Sequence, residues 1–352
     1  MPGGTAMDKT AALRTAVLCS FLLAAIGTRS PASAWGAKGH YLINRLAAQS
    51  LPATMPAFMR TPSATDELTY LGLELDLLKG AGPEWDSELD PGHYLDLTDD
   101  GKIVGNLSLD ALPPTREAYD TALRARGTDQ YKAGYLPYSI VQGWEQLRMV
   151  FAYWRVDSYE ATHASTARLR ATAAMRENVD EQLARRDAGV WGHYVADASQ
   201  PLHVTVHFNG WGKYPNPHGY SNSTHLHDLF ETQFVDRFVR RSAVAARMAP
   251  LHLRAPTQLT DQGRVMAAVV RYLRTSNATV PQLYRIARSG GFNTGTPQAK
   301  TFVEERLAFG ASELRTLMVW AWDDSVNETI GDDVPQRVRD IVSGKVRYAG
   351  LR

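Results

Sequence analysis

Apolar positions along the chain recur mostly every three or four residues, the spacing that lines one face of an α-helix. The stretch HYLINRLAAQSL predicts a helix over 40–51, stopped near Pro52. DELTYLGLELDLLK predicts another over 66–79, ended by Gly80, and a shorter one follows over 114–126 behind the Pro113-Pro114 pair. The 138–155 stretch is strongly amphipathic, with Ile140, Trp144, Leu147, Phe151 and Trp154 on one face. Further helices are predicted over 166–186, 188–199, 224–241 and 301–322. Alternating strand pattern is scarce. The segment 207–223, rich in Gly, Pro and Asn, reads as a loop. The expected fold is all-α, a single-domain multi-helix bundle over residues 35–352.

The first residues follow a different pattern. Lys9 and Arg14 precede an apolar run over 15–27, and Ala32-Ser33-Ala34 forms a small-x-small site. This is the layout of a secretory signal peptide, with cleavage after Ala34. The run falls short of the roughly 20 residues a membrane span needs, although an uncleaved anchor is the competing reading. The expected product is exported, periplasmic or secreted, and begins at Trp35.

Export changes the charge and the redox picture. Residues 1–34 hold three bases (Lys9, Arg14, Arg29) and one acid (Asp8), so the formal charge of +1 becomes about −1 without them. A broad basic face that grips polyanions is therefore not expected. The single cysteine, Cys19, falls in the signal. An exported chain without disulfides must be held by its core or by metal.

Candidate chemistry centres on residues 191–203, WGHYVADASQPLH. His193 and Asp197 stand four apart and share a helix face; His203 follows just past the helix end. In HLHDLFE, His227 and Glu231 repeat the four-residue spacing, and His225 with Asp228 is a competing pair. His93 follows a Pro-Gly turn and is placed on a loop. Asp76 interrupts an apolar stretch, which is costly unless the carboxylate is paired or ligating; a bridge to Lys79 at i+3 is the simpler account. With His40, five histidines and three carboxylates are available and no thiolate, a donor set suited to zinc in sites that keep an open position. Eight such ligands exceed one ion. Two or three are implied, with Asp197 able to bridge. Cleavage after Ala34 would also free the amine of Trp35 to chelate with its own carbonyl, near His40.

These motifs resemble the zinc-dependent superfamily that joins bacterial phospholipase C to the single-strand-specific nucleases of the S-one/P-one type. The matching set is W-G-x-x-G-H behind a signal site, G-H-Y-L-D at 92–96, H-x3-D-x5-H and H-x3-E, in this order. The resemblance implies an all-helical fold around a cluster of three zinc ions. Trp35, His40 and Asp197 would hold one ion; Asp76, His93, His193 and Asp197 its close partner; His203, His227 and Glu231 the third. Tyr94 falls where the nucleases stack a base, Asp96 where they read the base edge, and Lys79 where they usually carry Arg. Gln200-Pro201-Leu202-His203 matches a shared signature. Two features depart from the nucleases. Glu231 replaces their Asp and is the residue the phospholipases use, and the 207–223 loop lacks a Gly-Gly-Asn pattern.

The implied activity is hydrolysis of single-stranded DNA, RNA or nucleotides to 5′-phosphate products, as an endonuclease and 3′-nucleotidase. Two zincs sharing Asp197 would bridge a hydroxide, because zinc lowers the pKa of its water to about 7. The catalytic residues would be Asp76 and Lys79. A phospholipase C acting on phospholipid head groups is the alternative, and a non-catalytic zinc-binding protein the second. No obligate protein partner is evident. Packing remains an open role for Tyr94, and orienting a ligand histidine one for Asp96. His163, His207, His218 and His252 read as surface or loop histidines. Trp191 is assigned to packing and Trp211 to an exposed position.

Overall fold

The computed structural model describes residues 35–251 and 261–350. The expected signal peptide and His252 lie outside the described residues. The chain is predominantly helical, as the periodicity predicts. Among the described residues its strands form two short antiparallel hairpins, Lys102–Ile103 with Leu107–Ser108 and Thr329–Ile330 with Gln336–Arg337. No helix among the described residues is long and apolar enough to cross a membrane.

Two long helices, Leu136–His163 and Ala167–Asp197, pack along one another. Thr166 starts the second, its Oγ1 accepting the Leu169 amide at 3.2 Å. The amphipathic face predicted for the first helix is buried at Ile140, Trp144, Leu147 and Phe151. Trp191 packs as expected, its indole donating to the Ile140 carbonyl at 2.9 Å. It fits because residue 143 is glycine; a Cβ there would sit 2.0 Å from the indole. The helices Ala37–Gln49 and Pro297–Ser325 close the same core. A smaller apolar cluster, including Val156, Ile330, Val338 and Ile341, fastens the C-terminal hairpin to the Leu136–His163 helix.

The structure differs from expectation at three places. The predicted 66–79 helix is broken into Pro62–Leu71 and a single turn, Glu74–Leu77. The break falls at Gly72, which lies against Asn44; a Cβ there would be 2.5 Å from Asn44 Nδ2. The break expected between 186 and 188 is absent, because nothing there interrupts the α-helical ladder. The 224–241 segment runs from Leu226 to Phe238 with a π-helical turn at Leu229–Gln233. The longest helices that went unpredicted are Asp261–Asn277 and Val280–Arg288. The first buries Val265, Val269, Leu273 and Ser276, a helical spacing present in the sequence.

Candidate metal centre

Each predicted ligand sits at an element end or a break, where a side chain can turn inward. His40 stands in the first turn of Ala37–Gln49. His193 and Asp197 occupy the last turns of Ala167–Asp197. Beyond it Gln200 Oε1 accepts the Leu202 amide at 2.6 Å, which caps the 3₁₀ turn Pro201–Val204 that carries His203. His93, expected on a loop, ends the 3₁₀ turn Asp90–His93 and is buried. Asp76 lies in the turn after the Gly72 break. His227 and Glu231 straddle the start of the π turn, a feature that recurs at functional sites.

These elements converge in three groups of side chains: His40, His193 and Asp197; Asp76, His93 and His193; and His203, His227 and Glu231. Within each group the donor atoms lie within 4.8 Å of one another. His193 belongs to two of them. Its Nε2 is 3.6 Å from both Asp76 and Asp197 and 3.1 Å from His93 Nδ1. Asp197 reaches His40 at 3.6 Å with one oxygen and His93 at 3.2 Å with the other, so the carboxylate is placed to bridge. In the third group Glu231 is 2.9 Å from His227 and 4.0 Å from His203. The pair His225 and Asp228 joins none of these groups.

The surroundings suit ligation. His193 Nδ1 donates to the Gly72 carbonyl at 2.9 Å and His203 Nδ1 to the His93 carbonyl at 2.8 Å. Those bonds fix tautomers that aim an Nε2 lone pair inward. Burial holds His40, His93 and His203 well below the usual imidazole range, and His193 and His227 down to about 4, so the rings are neutral. Burial also pushes the Asp197 and Glu231 carboxyls well above their ordinary values. Both nitrogens of His40, one oxygen of Asp197 and Nε2 of His203 are buried without a hydrogen-bond partner. Buried polar atoms left this way are expensive. A cation among them supplies the missing partner and reverses the penalty on the carboxylates. The neutral imidazole and carboxylate donors therefore fit divalent metal ions.

Lys79 lies beside this cluster, 2.8 Å from Asp76 and almost buried. Burial acts against its charge, but Asp76, Asp197 and Asp90 outweigh that and raise its pKa. The expected i+3 bridge thus exists, and Asp76 also belongs to one of the groups that could hold a metal ion.

Tyr94 is half-buried, its hydroxyl donating to the Tyr131 carbonyl at 3.0 Å. Asp96 follows on the same strand of chain, and burial pushes its carboxyl up to about 8. Neither belongs to a metal group. Trp35 is fully buried and donates its indole proton to Ser199 Oγ at 2.8 Å, two residues from Asp197. Its expected ligand atoms belong to the backbone, and the cleavage that would free them lies outside the described residues.

Several contributors were missed from the sequence. Gln200 belongs to the quoted QPLH run, yet its amide points into the third group, 2.9 Å from Glu231 and 3.0 Å from His227. Asn44, one turn after His40, is buried and donates to the carbonyls of Leu68 and Gly189, tying the helices that bear His40 and His193 to the Pro62–Leu71 helix. Two assignments are corrected. His207 is not a surface histidine: it is buried, pairs with Asp99 at 2.8 Å and donates to the Trp211 carbonyl. Trp211 is not exposed: it stacks on His207 with centroids 3.7 Å apart. The Tyr284 ring packs edge-on against both from a distant helix, a contact that leaves no local signal.

Comparison of the chain with family profiles, curated proteins and solved structures gives no match.

Proposed function

We propose that the chain is an exported zinc-dependent phosphodiesterase, an endonuclease and 3′-nucleotidase that hydrolyses single-stranded DNA and RNA to 5′-phosphate products. The observation that carries this reading is the presence of three imidazole–carboxylate groups, two of them sharing His193, with Lys79 paired to Asp76. A purely structural zinc site is closed by four protein ligands. The group His203, His227 and Glu231 offers three, which favours catalysis.

Zinc, when bound, supplies Lewis acidity toward phosphoryl oxygens and acidifies water to a pKa of about 7. His40 and Asp197, with the freed amine and carbonyl of Trp35, hold one ion. Asp76, His93 and His193 hold its partner with Asp197. His203, His227 and Glu231 hold the third. The remaining work belongs to the chain. Lys79 presents an ammonium to the non-bridging phosphoryl oxygens, as a point charge rather than the fork an Arg would offer. Asp76, fixed by Lys79, orients the attacking water and takes its proton. Tyr94 stacks an unpaired base, worth roughly 1–3 kcal/mol, and selects single strands without a basic surface. Asp96, a neutral acid near pH 7, both donates to and accepts from the base edge. Water adds to phosphorus, the bond to the 3′ oxygen breaks, and that oxygen leaves with a proton.

A phospholipid substrate is the second reading. Leu77 and Trp85, between Asp76 and His93, are 58% and 44% exposed and offer an apolar rim to a lipid surface. Initial rates of the zinc-loaded protein beginning at Trp35, on single-stranded DNA and on phosphatidylcholine micelles, separate the two. Fast DNA cleavage with negligible lipid cleavage supports the nuclease. The reverse supports the phospholipase. Tight zinc with neither activity supports the non-catalytic protein.

A further inference from the structure

Tyr194 packs edge-on against His93, ring centroids 5.1 Å apart, so it forms part of the wall of the metal groups. The same residue lines a recess of 440 Å³ with Arg116, Tyr135, Gln142, Gln146 and Trp191. This is within the size range of small-molecule sites. The Arg116 guanidinium lies over the Tyr135 ring, 4.3 Å from its centroid. It forms no ion pair with a carboxylate among the described residues. Asp187, the one acid in the lining, is taken by Gln146 at 2.8 Å and Arg186 at 3.1 Å. The recess therefore carries one guanidinium that no acid neutralises.

That chemistry narrows the occupant. A planar guanidinium matches phosphate oxygens in pairs. Aromatic side chains offer stacking surface to any base, and the Gln142 amide can meet a base edge. An acyl chain would bury the guanidinium and the amide without partners, at a cost. Resting on the phosphodiesterase reading, we propose that the recess seats a neighbouring nucleotide of the single-stranded substrate. Its phosphate sits on Arg116 and its base lies against Tyr194, the face of Tyr135 being covered by the guanidinium. The centre and the recess share Tyr194, so one strand can engage both. The recess is then a source of strand-length preference rather than of chemistry.

The test uses the zinc-loaded protein, Arg116→Ala and Arg116→Lys, with bis(p-nitrophenyl) phosphate and oligothymidylates of two to six nucleotides. The wild type should gain kcat/KM with each added nucleotide. In Arg116→Ala the ratio of hexamer to small-diester kcat/KM should fall about tenfold, through KM, as expected for a lost phosphate contact. The slope of log kcat/KM against log salt should flatten by about one. Arg116→Lys should restore part of the ratio. The small diester and the melting temperature report whether each variant is folded. An unchanged ratio and salt slope in Arg116→Ala would overturn the recess and leave the phosphodiesterase reading standing. A wild type without length preference would do the same. A wild type that cleaves neither diester class would overturn both.

Discussion

The imidazole of His40 lies flat on that of His193, centroids 3.9 Å apart and planes 7° from parallel. The two rings come from different helices, Ala37–Gln49 and Ala167–Asp197. They can stack only because burial keeps both neutral; two imidazolium ions at this distance would repel. Asp197 reaches both His40 and His93 and is assigned to two ions, whereas His40 is assigned to one. Asp197→Ala should therefore lower zinc content from about three ions per chain to about one, and His40→Ala to about two, given that sites are lost with their ligands. Elemental analysis after dialysis decides it; equal losses would contradict the shared role.

Gln200 reaches two donors of the third group while its carbonyl end is held by the Leu202 amide. Groups that orient ligands in this way typically carry 10–100-fold of metal affinity. Gln200→Ala should weaken one ion by that order and leave the others unchanged. Chelator competition measures it, and uniform weakening of all ions would point to a general loss of stability instead.

Gly134 faces the Tyr94 carbonyl at φ +79°, and a Cβ there would lie 2.1 Å from that oxygen. Gly134→Ala combines a left-handed backbone with a collision against main chain. A loss of about 3 kcal/mol is expected in urea unfolding, with a rise in KM for single strands as Tyr94 is pushed aside. A variant as stable as the wild type would show that this close approach is not required.

Asp96 keeps its proton up to about 8, against about 3.9 in an unfolded chain. Between those values the folded chain binds a proton that the unfolded chain has lost. Its contribution is thus full below about pH 4 and drains away as pH rises toward 8. Asp96→Asn removes that slope. The variant should gain about 1–2 kcal/mol over the wild type at pH 9 relative to pH 5, less than the full shift because the side chain retains some contact with solvent. Urea titrations at the two pH values measure the difference, and an identical gap at both would refute the assignment.

Much of this centre was legible because its ligands come in local pairs. His193 with Asp197, and His227 with Glu231, announce themselves by a four-residue period that a helix converts into proximity. The long helices were legible for the same reason. What escaped was set by contacts between distant segments. The break at Gly72 exists because Asn44 crowds it from another helix and because its carbonyl serves His193. The burial of His207 involves Tyr284, whose hydroxyl donates to its carbonyl across 77 positions. Gln200 was visible as a letter in a signature but acquired a role only when the π turn brought Glu231 within reach. The recess at Arg116 gathers residues from four separate stretches and has no motif at all.

The ligand pairs are joined over long stretches of chain: His93 meets His193 across 100 positions and hands its carbonyl to His203 across 110. A cation held among them is a cross-link that closes those loops, in a chain whose single cysteine is Cys19. Such a staple cannot form early. The helices bearing His40, His193 and Asp197 must first find each other, because a loop of that size costs entropy before any contact rewards it. Topology would therefore have to be complete before capture, and ion binding would be the last step of folding. Refolding in excess chelator should reach native helix content on the ordinary time course, while resistance to protease and to urea returns only when zinc is added.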